Sequence, residues 1–224
     1  MSSEPSPVRP EPEPESTPGV GGGSEPPPRV RRPRRAFDRD AALAVALREF
    51  WTYGYESTSV SSLTKAMGIN PPSLYAAFGD KRQLFSEAVQ LYSRTYGAVS
   101  LEGPDARTAL TRVLKRIAAD YTDPSHPPGC LVITAATNGG PGSEGVKGEL
   151  RAMREATKAL FAARVQADID AGLLPDDTDA EGLAVFYAAV VQGMNQQACD
   201  GVGREALERM VDVAMAAFPE PAGR

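Results

Sequence analysis

Apolar residues recur at helical spacing along almost the whole chain beyond residue 36. Leu43, Leu47 and Phe50 are four and three positions apart, which places them on one face of a helix. The same spacing recurs in residues 105–120 and in residues 146–171, which Gly172 would end. The hydrophobic pattern therefore predicts an all-α fold.

Two short helices are predicted between residues 58 and 79. The first can be capped by Thr58 or Ser59 and is ended by Gly68. The second begins at Pro71–Pro72, because proline lacks only an N–H that has no intrahelical partner in a first turn. Two short helices joined by a turn need the first and fourth helices for support. The arrangement is that of a helix-turn-helix unit.

The second short helix differs on its two sides. Leu74 and Phe78 are expected to pack inward, and the outer side carries small residues that let the backbone approach a partner: Ser73, Ala76 and Ala77. Tyr75 at the rim and Lys81 just beyond could hold phosphates on either side of a major groove. An ordinary four-helix bundle with a short connecting helix is the alternative.

Composition changes the picture at the N-terminus. Residues 1–35 are expected to form a disordered tail, because prolines and glutamates alternate there with little apolar surface to bury. The net charge of -5 argues against nucleic acid. However, an arginine-rich arm ends this tail and suits phosphates or a narrow minor groove through Arg31, Arg32, Arg34 and Arg35. A solvated linker, or an arm held by the acidic tail, is the alternative.

Enzyme chemistry has little support in the sequence. His126 is the only histidine, so a Ser-His-acid triad would need it, and with Cys130 it supplies too few ligands for zinc. We expect no enzyme, no metal and no cofactor; a reactive thiol at Cys130 is the alternative. The chain has no apolar run of the roughly 18 residues that a membrane helix needs, so we expect a soluble, cytoplasmic protein with no membrane partner.

Gly140 to Gly145 match the dinucleotide-binding pattern G-x-G-x-x-G and follow the strand-like stretch CLVITAAT. That fold requires a second strand after the next helix, and residues 146–171 run helically to Gly172 instead. We therefore expect a glycine-rich loop without a nucleotide site.

The two short helices belong to a longer motif with many fixed spacings. Its positions are Gly54-Tyr55, Thr58-Ser59-Val60, Leu63, Met67-Gly68-Ile69, Ser73-Leu74-Tyr75, Phe78, Lys81 and Leu84-Phe85. In this motif residues 37–96 closely resemble the DNA-binding domain of the TetR family of bacterial transcription regulators. The segment containing Gly129, Cys130 and Leu131 also resembles the start of the sixth helix in one branch of that family.

The resemblance implies a three-helix helix-turn-helix domain over residues 36–82, an effector-binding and dimerisation domain over residues 83–218, and a short tail over 219–224. It implies phosphate contacts by Tyr75, Lys81 and the hydroxyls of Thr58 and Ser59. Base edges would be approached from Ser61, Asn70, Pro71, Pro72, Ser73 and Ala76. Thymine methyls suit this surface better than polar base edges, because Pro71, Ala76 and Ala77 stand where the family often has large polar or aromatic residues.

Residues 183–191 are apolar on every side, so the helix that they form needs cover all round. A second copy would supply it, and the resemblance implies a homodimer through the last two helices. The expected interface residues are Tyr187, Val190, Val191, Met194, Leu207, Met210, Val211 and Ala214. Closure of the monomer core by the same helices is the alternative.

The function implied is a repressor that a small-molecule effector of unknown identity releases from a near-palindromic double-stranded DNA operator. Expected effector-lining residues, each equally explicable as core, are Tyr92, Tyr96, Met153, Thr157, Phe161, Phe186 and Tyr187. A ligand-binding or redox-sensing protein of the same fold without sequence-specific DNA binding is the alternative, and an enzyme using the Cys130 region is another.

Overall fold

The computed structural model describes residues 37–97, 99–137 and 143–222. Its described residues contain helices and no strand, as the hydrophobic pattern predicts. The helices are α1 (Arg39–Ser57), α2 (Val60–Met67), α3 (Pro71–Phe78), α4 (Lys81–Thr95), α5 (Ala106–Tyr121), α6 (Leu131–Thr137), α7 (Glu144–Asp170), α8 (Ala180–Cys199) and α9 (Arg204–Met215). None of the described helices is long and apolar enough to cross a membrane.

Helix α1 contains a backbone break at Gly54, where φ is +77°. Only glycine adopts this conformation readily, so the regular helix is interrupted here before the chain turns toward α2. Thr58 stabilises the turn, because its hydroxyl donates a hydrogen bond to the Gly54 carbonyl at 2.6 Å. Gly54 therefore marks a change in chain direction within the motif.

Helices α1 and α4 hold the two short helices through an aromatic cluster. The Phe85 ring packs edge-on against the rings of Phe50 and Tyr55, at 5.0 Å between centroids in each pair. Leu63 of α2 and Leu74 of α3 are completely buried in the same core. The predicted domain boundary at residue 82 falls within the first turn of α4, so both predicted domains share that helix.

Helix α6 forms from a stretch rich in β-branched residues. The Cys130 carbonyl accepts hydrogen bonds from the backbone N–H groups of Ile133 and Thr134, which is a helical start. The Cys130 N–H donates to Asn195 Oδ1 at 2.6 Å and thereby ties α6 to α8. Tertiary contacts thus favour the helix over the strand that the local composition permits.

The residues of the predicted dimer interface lie on α8 and α9. Six of them are buried inside the chain itself, between α8 and its neighbours: Tyr187, Val190, Met194, Leu207, Val211 and Ala214. Val191 and Met210 are half-buried. The Tyr187 hydroxyl donates to the Ala214 carbonyl at 3.2 Å, so this face of α8 is closed by α9. A helix that is apolar on every side has no periodicity to identify which side faces outward.

Candidate functional site

Helix α3 has a buried side and an open side. Leu74 and Phe78 are buried, whereas Pro71, Pro72 and Ala76 are exposed and Ser73 is half-buried. Tyr75 lies at the rim with 49% of its surface exposed. The open side offers a close backbone approach and almost no polar side chain to a partner.

Both short helices have side-chain caps. Asn70 Oδ1 accepts the Ser73 N–H at 2.9 Å and starts α3. At α2 the Ser59 Oγ accepts the Ser62 N–H, and the Ser62 Oγ accepts the Ser59 N–H, both at 3.0 Å. This reciprocal capping box fixes the start of the helix. The exposed hydroxyls of Ser59 and Ser61 lie in the first part of this unit.

Thr58 does not belong to the open surface, contrary to the expectation from the sequence. It is 1% exposed, and its hydroxyl donates to the Gly54 carbonyl. A phosphate could not reach that hydroxyl without breaking the turn. Spacing placed Thr58 beside Ser59 but could not show that the two side chains point in different directions.

Lys81 lies beyond the C-terminal end of α3, on an aromatic support. Its Nζ is 4.3 Å from the centroid of the Tyr55 ring. Burial lowers the pKa of Lys81, and the nearby Glu56 carboxylate partly offsets this effect. An anion near the ammonium would favour its charged form, which suits a phosphate contact.

Arg39 is a functional candidate that the sequence analysis missed. Its Nη2 lies 2.7 Å from both carboxylate oxygens of Glu87 on α4. Its Nε donates to the Ala77 carbonyl in the last turn of α3 at 3.2 Å, and its guanidinium lies 4.6 Å from the centroid of the Phe78 ring. Arg39 therefore connects α1, α3 and α4. Its partners are 38 and 48 positions away, so no local pattern could have revealed them.

Two candidates predicted from the sequence lie outside the described residues. They are the arginine arm, with Arg31, Arg32, Arg34 and Arg35, and the glycine-rich loop from Gly140 to Gly142. Their roles stay predictions. The stretch that precedes the loop is α6, and α7 follows it from Glu144.

A cavity of about 330 Å³ lies among α1, α4, α5, α7 and α8. Five of the seven predicted effector-lining residues line it: Tyr92, Tyr96, Met153, Thr157 and Phe161. The other two do not, because Phe186 lies on the outer side of α8 and Tyr187 is enclosed between α8 and α9. That any lining residue binds a ligand stays a prediction.

One end of the cavity is built from aromatic rings. The Trp51 ring of α1 stacks on His126 at 4.6 Å between centroids and meets Tyr92 and Tyr96 edge-on at 4.8 and 5.1 Å. His126 is buried, and its Nδ1 donates to the Pro127 carbonyl at 2.9 Å, because a carbonyl can only accept. Neither Trp51 nor His126 was predicted to line a cavity. The histidine packs in the wall against the rings of Trp51 and Tyr96.

Cys130 lies in the cavity wall between two phenols. The phenols of Tyr92 and Tyr121 lie next to the Cys130 thiol. Burial, reinforced by the neighbouring thiol, raises the pKa of both tyrosines, so both stay protonated at neutral pH. Among the described residues, no three His, Cys, Asp or Glu side chains are grouped as a metal site would require.

The outer side of α8 and α9 exposes large apolar side chains. Val185 and Phe186 of α8 are 55% and 41% exposed, and Val213 of α9 is 75% exposed. Single exposed apolar residues are ordinary, but these three share the two helices whose inner sides close the core. Val185, Phe186 and Val213 are together named the outer α8–α9 face, and Val185 also lines the cavity.

Comparison with known proteins matches both halves of the chain to one family. Residues 42–88 match the family model for bacterial regulatory proteins of the tetR family, and residues 106–214 match a tetracyclin repressor-like C-terminal domain. The HTH-type transcriptional repressor ComR of Escherichia coli K12 is 34% identical over 194 residues, which span 83% of this chain and 91% of ComR. The repressor BdcR of the same organism is 29% identical over 180 residues, which span 79% of this chain and 86% of BdcR.

A solved structure resembles the chain over nearly all of its described part. It is a cysteine mutant of the TetR family transcriptional regulator CifR complexed with 26-base-pair double-strand operator DNA. It is 45% identical to this chain, with a TM-score of 0.78, and the match spans 84% of this chain and 100% of that one.

Proposed function

The chain belongs to the TetR family of bacterial regulatory proteins, and we propose that it represses transcription as a homodimer that an effector releases from operator DNA. The observation that carries the proposal is the open side of α3, held on a helix-turn-helix unit and bordered by Tyr75 and Lys81. The DNA complex of the similar CifR chain supports the same use of this unit.

Recognition helices enter successive major grooves in the proposed complex. Pro71, Pro72, Ser73 and Ala76 approach the base edges, while Tyr75, Lys81 and Ser59 hold the flanking phosphates. Asn70 and Ser61 lie beside them, and Asn70 can donate to a base through its amino group while its Oδ1 caps α3. Thr58 makes no phosphate contact in this proposal, because its side chain is buried. Two-fold symmetry then requires a near-palindromic operator with half-sites about one helical turn apart.

The outer α8–α9 face joins the two copies in this proposal. Val185, Phe186 and Val213 expose apolar surface that a second copy of the same face would cover in a four-helix arrangement. A symmetric interface brings the same patch of both copies together. These residues replace the eight predicted from sequence, six of which are needed inside the chain.

The cavity of about 330 Å³ is the proposed effector site. Its volume is in the range of small-molecule sites, and its wall includes Trp51 of α1 as well as residues of α4 to α8. A ligand that binds better to a conformer with differently spaced recognition helices lowers operator affinity by that difference.

The direct test of the repressor proposal is the selection of bound sites from random double-stranded DNA by the full chain. We expect a near-palindrome whose half-sites lie one turn apart, and gel shift with that sequence should give a dimer on one site. Recovery of no preferred sequence would contradict the proposal.

The phosphate contacts are tested on the selected operator with Tyr75→Phe and Lys81→Ala. Each should weaken binding to all sequences alike, by about 3- to 10-fold, because phosphate contacts carry no sequence information. The measurement is fluorescence anisotropy on the operator and on scrambled DNA. A changed base preference would show that the residue reads bases instead.

A further inference from the structure

The indole Nε1 of Trp51 is buried and has no hydrogen-bond acceptor within the part of the chain that the structure describes. The Trp51 side chain is 2% exposed, and its ring forms part of the cavity wall. A buried donor without an acceptor costs about 1 to 3 kcal/mol, so such groups are retained where something else satisfies them. This donor belongs to α1, the helix that leads into the helix-turn-helix unit.

Some other polar groups of the wall already have partners. The Thr157 hydroxyl donates to the Met153 carbonyl at 3.2 Å. Arg154 donates to the Val132 carbonyl at 3.2 Å. These pairings leave the Trp51 N–H as a donor that a ligand could satisfy without breaking a bond in the wall.

Charged groups of the wall are also paired with each other. The Lys158 Nζ lies 2.6 Å from the Glu155 Oε2, and the Arg116 Nε lies 3.5 Å from the Asp120 Oδ2. The end of the cavity at Trp51 is aromatic, so an anion placed there would lose its hydration without a counter-ion beside it. A cation has no acceptor to offer the indole N–H, so the group of the ligand that bonds to Trp51 is an uncharged acceptor.

We propose that the effector is a compound with an aromatic or other apolar body and one uncharged hydrogen-bond acceptor, a carbonyl or ether oxygen, which the Trp51 indole N–H binds. The proposal rests on the assignment of this cavity as the effector site. The volume equals about eleven water molecules at ~30 Å³ each, which sets the size of the body to that of a two-ring compound.

The covered position of the N–H gives the acceptor a regulatory role. Nε1 is shielded by its neighbours in this conformation, so an acceptor reaches it only after the Trp51 ring has shifted. Such a ligand favours the shifted conformer by the strength of the new hydrogen bond. Trp51 stands three positions before the break at Gly54, so the shift acts on the segment that orients α2 and α3.

The test uses two probes of the same shape: 2-acetylnaphthalene, and 2-isopropenylnaphthalene, in which a CH₂ group replaces the carbonyl oxygen. Trp51 is the only tryptophan, so the full chain labelled with ¹⁵N gives one indole N–H resonance. The ketone should move that resonance downfield, and the olefin should not. Calorimetry should show about tenfold tighter binding of the ketone, in line with one satisfied buried donor.

The matched variant replaces all tryptophan with β-(3-benzothienyl)alanine, which exchanges the N–H for sulfur at this one position and keeps the ring volume. This variant should bind the ketone and the olefin with about equal affinity. Trp51→Phe gives a second variant of natural composition with the same expected loss. Equal binding of both probes to the unmodified chain, binding of neither, or a preference that survives removal of the N–H would each overturn the proposal.

Operator affinity separates this inference from the proposed function. Each chain is compared with itself: the ketone should weaken operator binding of the unmodified chain by about tenfold, and should leave operator binding of the sulfur-substituted chain close to its own value without probe. If the operator binds but the ketone has no preference, the inference fails and the repressor assignment stands. If the ketone is bound through the N–H and no operator is found, the repressor assignment fails instead.

Discussion

Short polar side chains fix where six of the described helices begin. In each case the side-chain oxygen of the capping residue accepts a hydrogen bond from a backbone N–H of the first turn. The capping residues are Asp38, Ser59, Asn70, Asp80, Asp105 and Asp179. Such a cap is worth about 1 kcal/mol. The positions of α2 and α3 are thus determined by single residues within the short segments that precede them.

Asp105 makes this contribution dependent on pH. Its carboxylate accepts the Thr108 N–H at 2.6 Å, and this bond lowers the pKa of Asp105 below its ordinary value of 3.8. A lowered folded-state pKa stabilises the fold above the ordinary value, and the stabilisation is lost as pH falls through the lowered pKa.

Asp105→Asn should therefore remove part of the acid sensitivity. Asparagine caps a helix about as well but does not titrate, so we expect a loss below about 1 kcal/mol at neutral pH that becomes smaller at an acid pH below the ordinary pKa of 3.8. Denaturant unfolding at both pH values measures it. Asp105→Ala is the control, because it loses the cap at neutral pH, at a cost of about 1 kcal/mol. An Asn variant with the pH dependence of the unmodified chain would contradict the assignment.

Among the elements, α3 depends on α1 for its orientation. Arg39 donates to the last turn of α3 through the Ala77 carbonyl and pairs with Glu87 on α4. Both partners of this ion pair are partly exposed, so the pair adds little to stability. Its effect is expected in the placement of the recognition helix.

We expect Arg39→Ala to weaken operator binding about tenfold while changing the free energy of unfolding by less than about 1 kcal/mol. Glu87→Gln separates placement from charge. It removes a negative charge, so a purely electrostatic role for Arg39 predicts tighter DNA binding, whereas a positioning role predicts weaker binding. Arg48→Ala is the matched control, because Arg48 also lies on α1 but donates to the Ser125 carbonyl at 2.9 Å, away from α3.

The elements themselves could largely be predicted from the sequence, but their outward sides could not. Capping residues and the spacing of Leu74 and Phe78 define α3 locally, so its open side was predicted. In α8 the neighbours Phe186 and Tyr187 are equally apolar, and only packing against α9 decides that Tyr187 is enclosed and Phe186 exposed. Trp51 was not predicted to line the cavity for a similar reason. Its ring packs in the hydrophobic core and also forms part of the cavity wall.

For the whole molecule, we expect the outer α8–α9 face to form the dimer interface. Val213→Glu should give monomers in analytical ultracentrifugation, because two carboxylates would be buried in the symmetric interface. Leu160→Glu is the matched control, since Leu160 is also half exposed but lies on α7. A charge at Val190 would instead test folding, because Val190 is buried. Dimers of the Val213 variant as stable as those of the control would rule out this face.

The N-terminal arm is predicted to act through salt-dependent affinity. Deleting residues 1–35 should reduce the slope of log affinity against log salt by about 0.9 for each arginine that neutralises a phosphate. Deleting residues 1–28 removes the acidic tail and keeps Arg29 and the four arginines of the arm, so the slope should stay or steepen. Binding titrations over several salt concentrations measure both. Equal slopes for the two deletions would make the arm a linker.

The two sides of α3 also determine how this regulator can diverge. Leu74 and Phe78 carry the packing, and Pro71–Pro72 and Asn70 carry the start of the helix, so the fold places no demand on Ala76. A new side chain at that position changes what is read in the groove without a cost in the core. Duplicated copies of such a gene can acquire separate operators by one or two substitutions, while their effector cavity stays the same.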